Sequence, residues 1–79
     1  MNMFEEVRKI LAKQLRISDP EKISLDSAIQ KDLGADSLDI LQLLMKIEDG
    51  YGIVIPDEEL SGLVTVRDVI SFVEKQQKK

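Results

Sequence analysis

The hydroxyl of Ser37 lies in the stretch around which the chain is organised. In Gly34-Ala35-Asp36-Ser37-Leu38-Asp39-Ile40-Leu41 a flexible glycine gives way to a strongly apolar periodic run, and that transition predicts a helix start. Asp36 suits the N-cap, because its carboxylate accepts hydrogen bonds from the unpaired N–H groups of the first turn. Asp39 adds negative charge where the helix dipole is positive. Ser37 then takes the first helical position, its hydroxyl exposed beside a loop. Taken alone, the triplet also reads as an ordinary cap.

Nucleophilic catalysis by Ser37 finds little support. The chain has no histidine and no cysteine, so a Ser-His-Asp triad cannot form, and the Gly-x-Ser-x-Gly elbow is absent. Lys31 or Lys46 as activating base needs a protected pocket, which 79 residues are too few to build. Metal chemistry fares no better. Thiolate and imidazole ligands are missing, and no window offers the alternating oxygens, mid-loop glycine and terminal glutamate of a calcium loop. No catalytic residue and no metal site is therefore expected.

The helix that follows has two apolar faces. At about 100° per residue, Ile40, Leu43, Leu44, Ile47 and Tyr51 fall within an arc of roughly 100°, as a core-facing surface requires. Leu38, Leu41 and Met45 form a narrower arc roughly opposite. A helix in so small a protein can hardly bury both faces, so the second ridge is either covered by another segment or kept for a partner.

Composition supports a single small domain over residues 1–79. The apolar fraction is 43%, but two Phe, one Tyr and no Trp make the core mainly aliphatic. The N-terminus lacks a basic and then apolar leader pattern, and no run approaches the roughly 18 apolar residues of a membrane span. A cytoplasmic location is the expectation. The net charge of −4 is unevenly spread: residues 32–59 hold Lys46 against Asp32, Asp36, Asp39, Glu48, Asp49, Asp57, Glu58 and Glu59, a local charge of −7. Such a block repels phosphate backbones and attracts Lys/Arg-rich protein surfaces, which argues against nucleic acid. A merely solvated face is the competing reading.

The supporting elements follow from local signals. Asn2 and Glu5 form a capping-box pattern for a first helix with Phe4, Val7, Ile10, Leu11 and Leu15 on its apolar stripe, ending near Leu15 or Arg16. Arg8, Lys9, Lys13 and Arg16 read as solubilising charge. Ile17 to Leu33 is a long connection with a turn at Ser18–Lys22, apolar anchors Ile23, Leu25, Ile29 and Leu33, and a short helical turn over Asp26–Gln30. Gly50 predicts that the Ser37 helix stops near Asp49-Gly50. Ile53-Val54-Ile55 is an extended linker, Pro56 precedes a single acidic turn over Asp57–Leu60, and Thr65 with Asp68 caps a last helix from Val66 to about Lys75, after which the tail frays. Phe72 lies off that helix's stripe, at an edge. The fold class is all-α: a small three-to-four-helix bundle with a long first loop.

Gly34-Ala35-Asp36-Ser37-Leu38, the helix after it, and Ile55-Pro56-Asp57 at their spacing from the serine together resemble the acyl carrier protein family from about Phe4 to Val73. The resemblance implies that Ser37 bears a covalent 4′-phosphopantetheine arm whose terminal thiol holds acyl intermediates as thioesters in fatty acid biosynthesis. It also implies that Asp36 and Leu38 help a phosphopantetheinyl transferase recognise the site. Acyl-transfer and synthase enzymes with basic docking patches would meet Leu38, Leu41 and Met45 as apolar contacts and Asp36, Asp39, Glu48 and Asp49 as electrostatic ones. The chain would act as a monomer and not as an enzyme. Gln42, Lys46 and Val54 stand where many fatty-acid carriers have acids. A specialised carrier for polyketide, aminoacyl or modified-lipid synthesis is therefore the alternative, and an unmodified helical interaction module is a third reading of a different class.

Overall fold

The computed structural model describes residues 3–77. Three α-helices, α1 (Met3–Leu15), α2 (Ser37–Tyr51) and α3 (Val66–Gln77), are joined through two 3₁₀ segments, Pro20–Lys22 and Asp57–Gly62. No strand occurs among the described residues, only an isolated antiparallel bridge between Ala28 and Thr65. The all-α bundle with a long first loop is thus the observed architecture.

α1 is the element on which both other helices pack. It contributes Val7 and Leu11 to an aliphatic core shared with Leu43 and Ile47 of α2 and Val66, Val69 and Val73 of α3, all almost completely buried. α1 ends where Arg16 adopts a left-handed conformation (φ 58°), letting the Ile17 N–H reach the Ala12 carbonyl at 2.8 Å. The Asn2 half of the first capping box lies outside the described residues, as do Lys78 and Lys79. Helix α3 continues to Gln77, two residues past the expected end, and Phe72 is half-buried against the edge of the core.

The long loop from Ile17 to Asp36 is anchored at both of its sides. Ile23 and Ile29 are buried as completely as any helix residue. Arg8 corrects the solubility reading: its Nε donates to the Ile23 carbonyl at 3.1 Å, and its guanidinium stacks 4.2 Å from the centre of the Phe4 ring. On the other side Ile29 N–H donates to Val64, Val66 N–H to Ser27 and Arg67 N–H to Leu25, while Arg67 and Asp26 form an ion pair at 3.1 Å. These bonds hold residues 25–29 against the lead into α3, with a tight turn closed by Ser27 N–H on the Ser24 carbonyl and a bridge from Ala28 to Thr65, so Asp26–Gln30 is not a helical turn. The turn instead follows, with Asp32 N–H and Leu33 N–H both donating to the Ala28 carbonyl.

α2 also departs from expectation at its C-terminus. Gly50 is helical, and the chain leaves the helix at Gly52 (φ 66°), whose N–H and that of Ile53 both donate to the Glu48 carbonyl. Tyr51, now inside the helix, donates its hydroxyl to Glu6 of α1 at 2.5 Å. Partial burial, reinforced by that bond and the Glu6 charge, pushes the phenol up to about 12.

Candidate functional site

The loop delivers Ser37 to the surface through a sequence of backbone constraints. Asp32 Oδ2 accepts the Ala28 N–H at 2.8 Å, and Gly34, at φ 76°, turns the chain so that Ala35 N–H reaches the Ile29 carbonyl. Only a residue at ease with positive φ suits that turn. Ala35 is buried as a result, and the next three residues, Asp36, Ser37 and Leu38, are exposed.

Asp36 caps α2 as its residue type requires. Its Oδ1 accepts the Asp39 N–H at 2.8 Å, and Asp39 Oδ2 accepts the Asp36 N–H at 3.1 Å, closing a reciprocal capping box. Asp39, expected to favour the helix dipole and to meet partners, also closes the cap, a half of the box visible in the Asp-x-x-Asp spacing. From α1, Gln14 braces the same turn, donating to the Asp39 carbonyl at 2.5 Å and to Gln42 Oε1 at 3.3 Å. No local pattern announces that contact. Gln42 therefore has a structural partner where an acid would supply the same acceptor.

Behind the serine, Leu38 is 62% exposed, Leu41 45% and Met45 64%, while Leu43, Leu44 and Ile47 on the opposite face are buried. The two arcs therefore divide between solvent and core. Beside Ser37 runs a groove of about 340 Å³ walled by Ile40, Leu41, Leu60, Leu63 and Val64, with Gln30, Ser37 and Ser61 as its polar contributors. A flexible substituent on the Ser37 oxygen has both open solvent and this apolar groove within reach.

The acids do not all face outward alike. Asp36 and Asp49 are exposed and Asp39 is half-buried in the capping box. Glu48 is half-buried too, and its Oε2 accepts the Ile55 N–H at 2.6 Å, so this carboxylate holds the linker to the end of α2. Lys46 is exposed and makes no ion pair among the described residues. Among those residues no group of three or more His, Cys, Asp or Glu side chains is arranged to hold a metal ion. No helix of the described residues is long and apolar enough to cross a membrane.

A helix-start serine on a small aliphatic bundle, followed by an uncovered apolar ridge, fits the class of carrier proteins. Comparison with known proteins specifies it further: residues 5–73 match the family model described as phosphopantetheine attachment site. The chain is 44% identical over 78 residues to the acyl carrier protein of Campylobacter hominis, covering 99% of this chain and 98% of that one. It is 43% identical over 77 residues to that of Treponema denticola, covering 98% and 97%. Against that of Helicobacter acinonychis it is 40% identical over 74 residues, 94% of each. The chain belongs to the acyl carrier protein family, whose cofactor is 4′-phosphopantetheine and whose role is that of a carrier.

Proposed function

We propose that Ser37 is the attachment point of the 4′-phosphopantetheine arm and that the protein presents acyl groups to the enzymes of fatty acid biosynthesis. The arm, when attached, supplies a terminal thiol that holds the acyl group as a thioester. Everything else falls to the chain's own residues. Asp36 and Asp39 fix the first turn of α2 by their reciprocal bonds, so the serine oxygen is held at a rigid helix start. The positive end of the helix dipole there favours the phosphodiester that would join arm to serine. Leu38, Leu41 and Met45 offer a partner apolar surface that water now covers, and Asp36, Asp39 and Asp49 steer basic docking patches towards it. In this reading residues 1–79 form one carrier domain, monomeric, cytoplasmic and without catalysis of its own.

The observation that carries the reading is the exposure of Ser37 together with the ridge that trails it. Lys46 and Val54 favour the second reading, a specialised carrier, because neither supplies the negative charge that a basic patch would meet. Intact mass after incubation with a phosphopantetheinyl transferase and its coenzyme A donor tests the attachment. Wild type should gain one arm and Ser37→Ala none. No gain with several transferases would leave an unmodified interaction module as the better account. The acyl group found on protein isolated from its host would separate the two carrier readings.

A further inference from the structure

The reciprocal bonds of Asp36 and Asp39 close the first turn of α2 upon itself, but they do not fix that turn relative to the rest of the molecule. Between Ala35 and Leu43 no residue is buried, so the serine turn projects from the core. At 1.5 Å per residue, Ser37 lies about 9 Å along the helix from Leu43. Ile40 is half-buried against the edge of the core. A helix start held so lightly frays unless a group from outside the helix holds it.

Gln14 supplies that hold. It sits in the last turn of α1, the element on which both other helices pack, and its Nε2 donates to the Asp39 carbonyl at 2.5 Å and to Gln42 Oε1 at 3.3 Å. A carbonyl has two lone pairs, so the Asp39 oxygen can accept this bond without leaving the helix ladder. The Gln14 Oε1 is buried and meets no donor among the described residues. The amide therefore has one orientation, because turning it over would set an oxygen against two oxygens. A buried acceptor without a partner destabilises the fold. An apolar side chain of the same length would relieve that cost, so stability alone does not call for glutamine at position 14. The use of the amide lies in where its nitrogen points.

Resting on the carrier reading of Ser37, we propose that Gln14 is a positioning residue for loading, holding the serine turn against α1 while a transferase acts on it. In that reaction the Ser37 oxygen forms a bond to the pantetheine-bearing phosphorus of coenzyme A and the pyrophosphate bond to that phosphorus breaks. Adenosine 3′,5′-bisphosphate leaves with the bridging oxygen, and the serine proton passes to a base of the transferase. Attack needs the serine oxygen in line with the breaking bond, and a displacement of about 1 Å in such a geometry costs up to about a hundredfold in rate. Gln14 acts on that alignment through the Asp39 carbonyl, two residues from Ser37. Leu38, Leu41 and Met45 are exposed with or without the brace, so its loss falls on kcat more than on KM.

Two variants of the full chain test this. Gln14→Met keeps the length and removes the donor, whereas Gln14→Asn keeps an amide one methylene too short to reach. Each is loaded by a phosphopantetheinyl transferase with coenzyme A, followed by intact mass, and kcat and KM are measured for the carrier chain. Both variants should lower kcat about tenfold with KM within about twofold of wild type, and Gln14→Met should melt close to wild type. Amide hydrogen exchange should quicken at Asp39 and Ile40, whose N–H groups bond to Asp36, and stay unchanged at Leu43, Leu44 and Ile47. A wild-type kcat in both variants would overturn the proposal. So would a fall in kcat matched by a low melt and faster exchange along the whole of α2, the mark of a merely structural role. A rise in KM alone would make Gln14 a contact for the transferase and would overturn it as well. Wild type that fails to load removes the carrier reading beneath the proposal, whereas variants that load as fast as a loading wild type remove the brace alone.

Discussion

Met45→Glu is the substitution that most sharply separates a docking ridge from a core. Full burial of a methionine side chain is worth about 1.5–3 kcal/mol. With Met45 64% exposed, roughly a third of that, about 0.5–1 kcal/mol, is at stake in folding. Glutamate at 45 also faces Asp49 one turn on, adding about 0.2–0.5 kcal/mol of repulsion, while helix propensity barely changes. The total, about 0.7–1.5 kcal/mol, lowers Tm by about 3–12 °C in a domain of this size. Ile47, two residues away and fully buried, supplies the contrast: Ile47→Ala costs about 2–5 kcal/mol, which consumes most of the roughly 3–5 kcal/mol that so small a core provides.

Docking reverses the order. A charge driven into the centre of an apolar contact costs at least about 2 kcal/mol, so kcat/KM for loading Ser37 by a phosphopantetheinyl transferase should fall tenfold or more in Met45→Glu. Thermal melts and loading rates measured on the same preparations decide the matter. If Met45→Glu melts as low as Ile47→Ala, the ridge is part of the core and the argument from exposure fails. If it melts near wild type and loads at the wild-type rate, the ridge is solvent-facing but idle.

Further predictions concern the ends of α2 and α3. Gly50→Ala should stabilise by about 0.5–1 kcal/mol, since position 50 is helical and an added Cβ meets nothing within 4 Å, whereas Gly52→Ala should cost about 1–2 kcal/mol at its φ of 66°. Urea melts of both variants check this, and a helix ending at Gly50 would give the opposite order. At α3 the Thr65 N–H, the Val64 N–H and the Thr65 hydroxyl hold the Asp68 carboxylate below its ordinary 3.8 against a smaller opposing effect of burial. The unfolded chain takes up that proton more readily, so the stabilisation is complete above about 3.8 and fades as pH falls through the lower folded value. Asp68→Asn should therefore show a shallower loss of stability on acidification, read from urea midpoints at about pH 6 and about pH 3. Coincident acid limbs in the two proteins would mean the capping bonds do not bias the titration.

What the sequence made legible was mostly what neighbours in sequence decide. Caps at Asp36 and Thr65, the two arcs of α2 and the burial of Ile23 and Ile29 follow from residue type and spacing. Contacts between distant segments left no such trace. Arg8 looked like any surface cation because the Ile23 carbonyl it holds lies 15 residues away. Glu48 sits among acids that read as docking charge, yet the Ile55 N–H claims one of its oxygens. Gly50 and Gly52 are both acceptable helix ends locally. Tyr51, inside the helix and donating to Glu6, lies between them, and the chain turns only after it.

The openness of the ridge has a cause in the loop that precedes α2. Residues 17–36 are long enough to have folded over Leu38, Leu41 and Met45 and buried them. To do so they would surrender the completely buried Ile23 and Ile29, worth about 1.5–3 kcal/mol each. They would also give up the backbone bonds from Ile29 to Val64, Val66 to Ser27 and Arg67 to Leu25. Covering three already half-solvated side chains returns less than that loss, so the loop stays against α3. The ridge thus stays clear of this loop because the loop is held more strongly elsewhere, and a partner can take that place without competing against the protein's own fold.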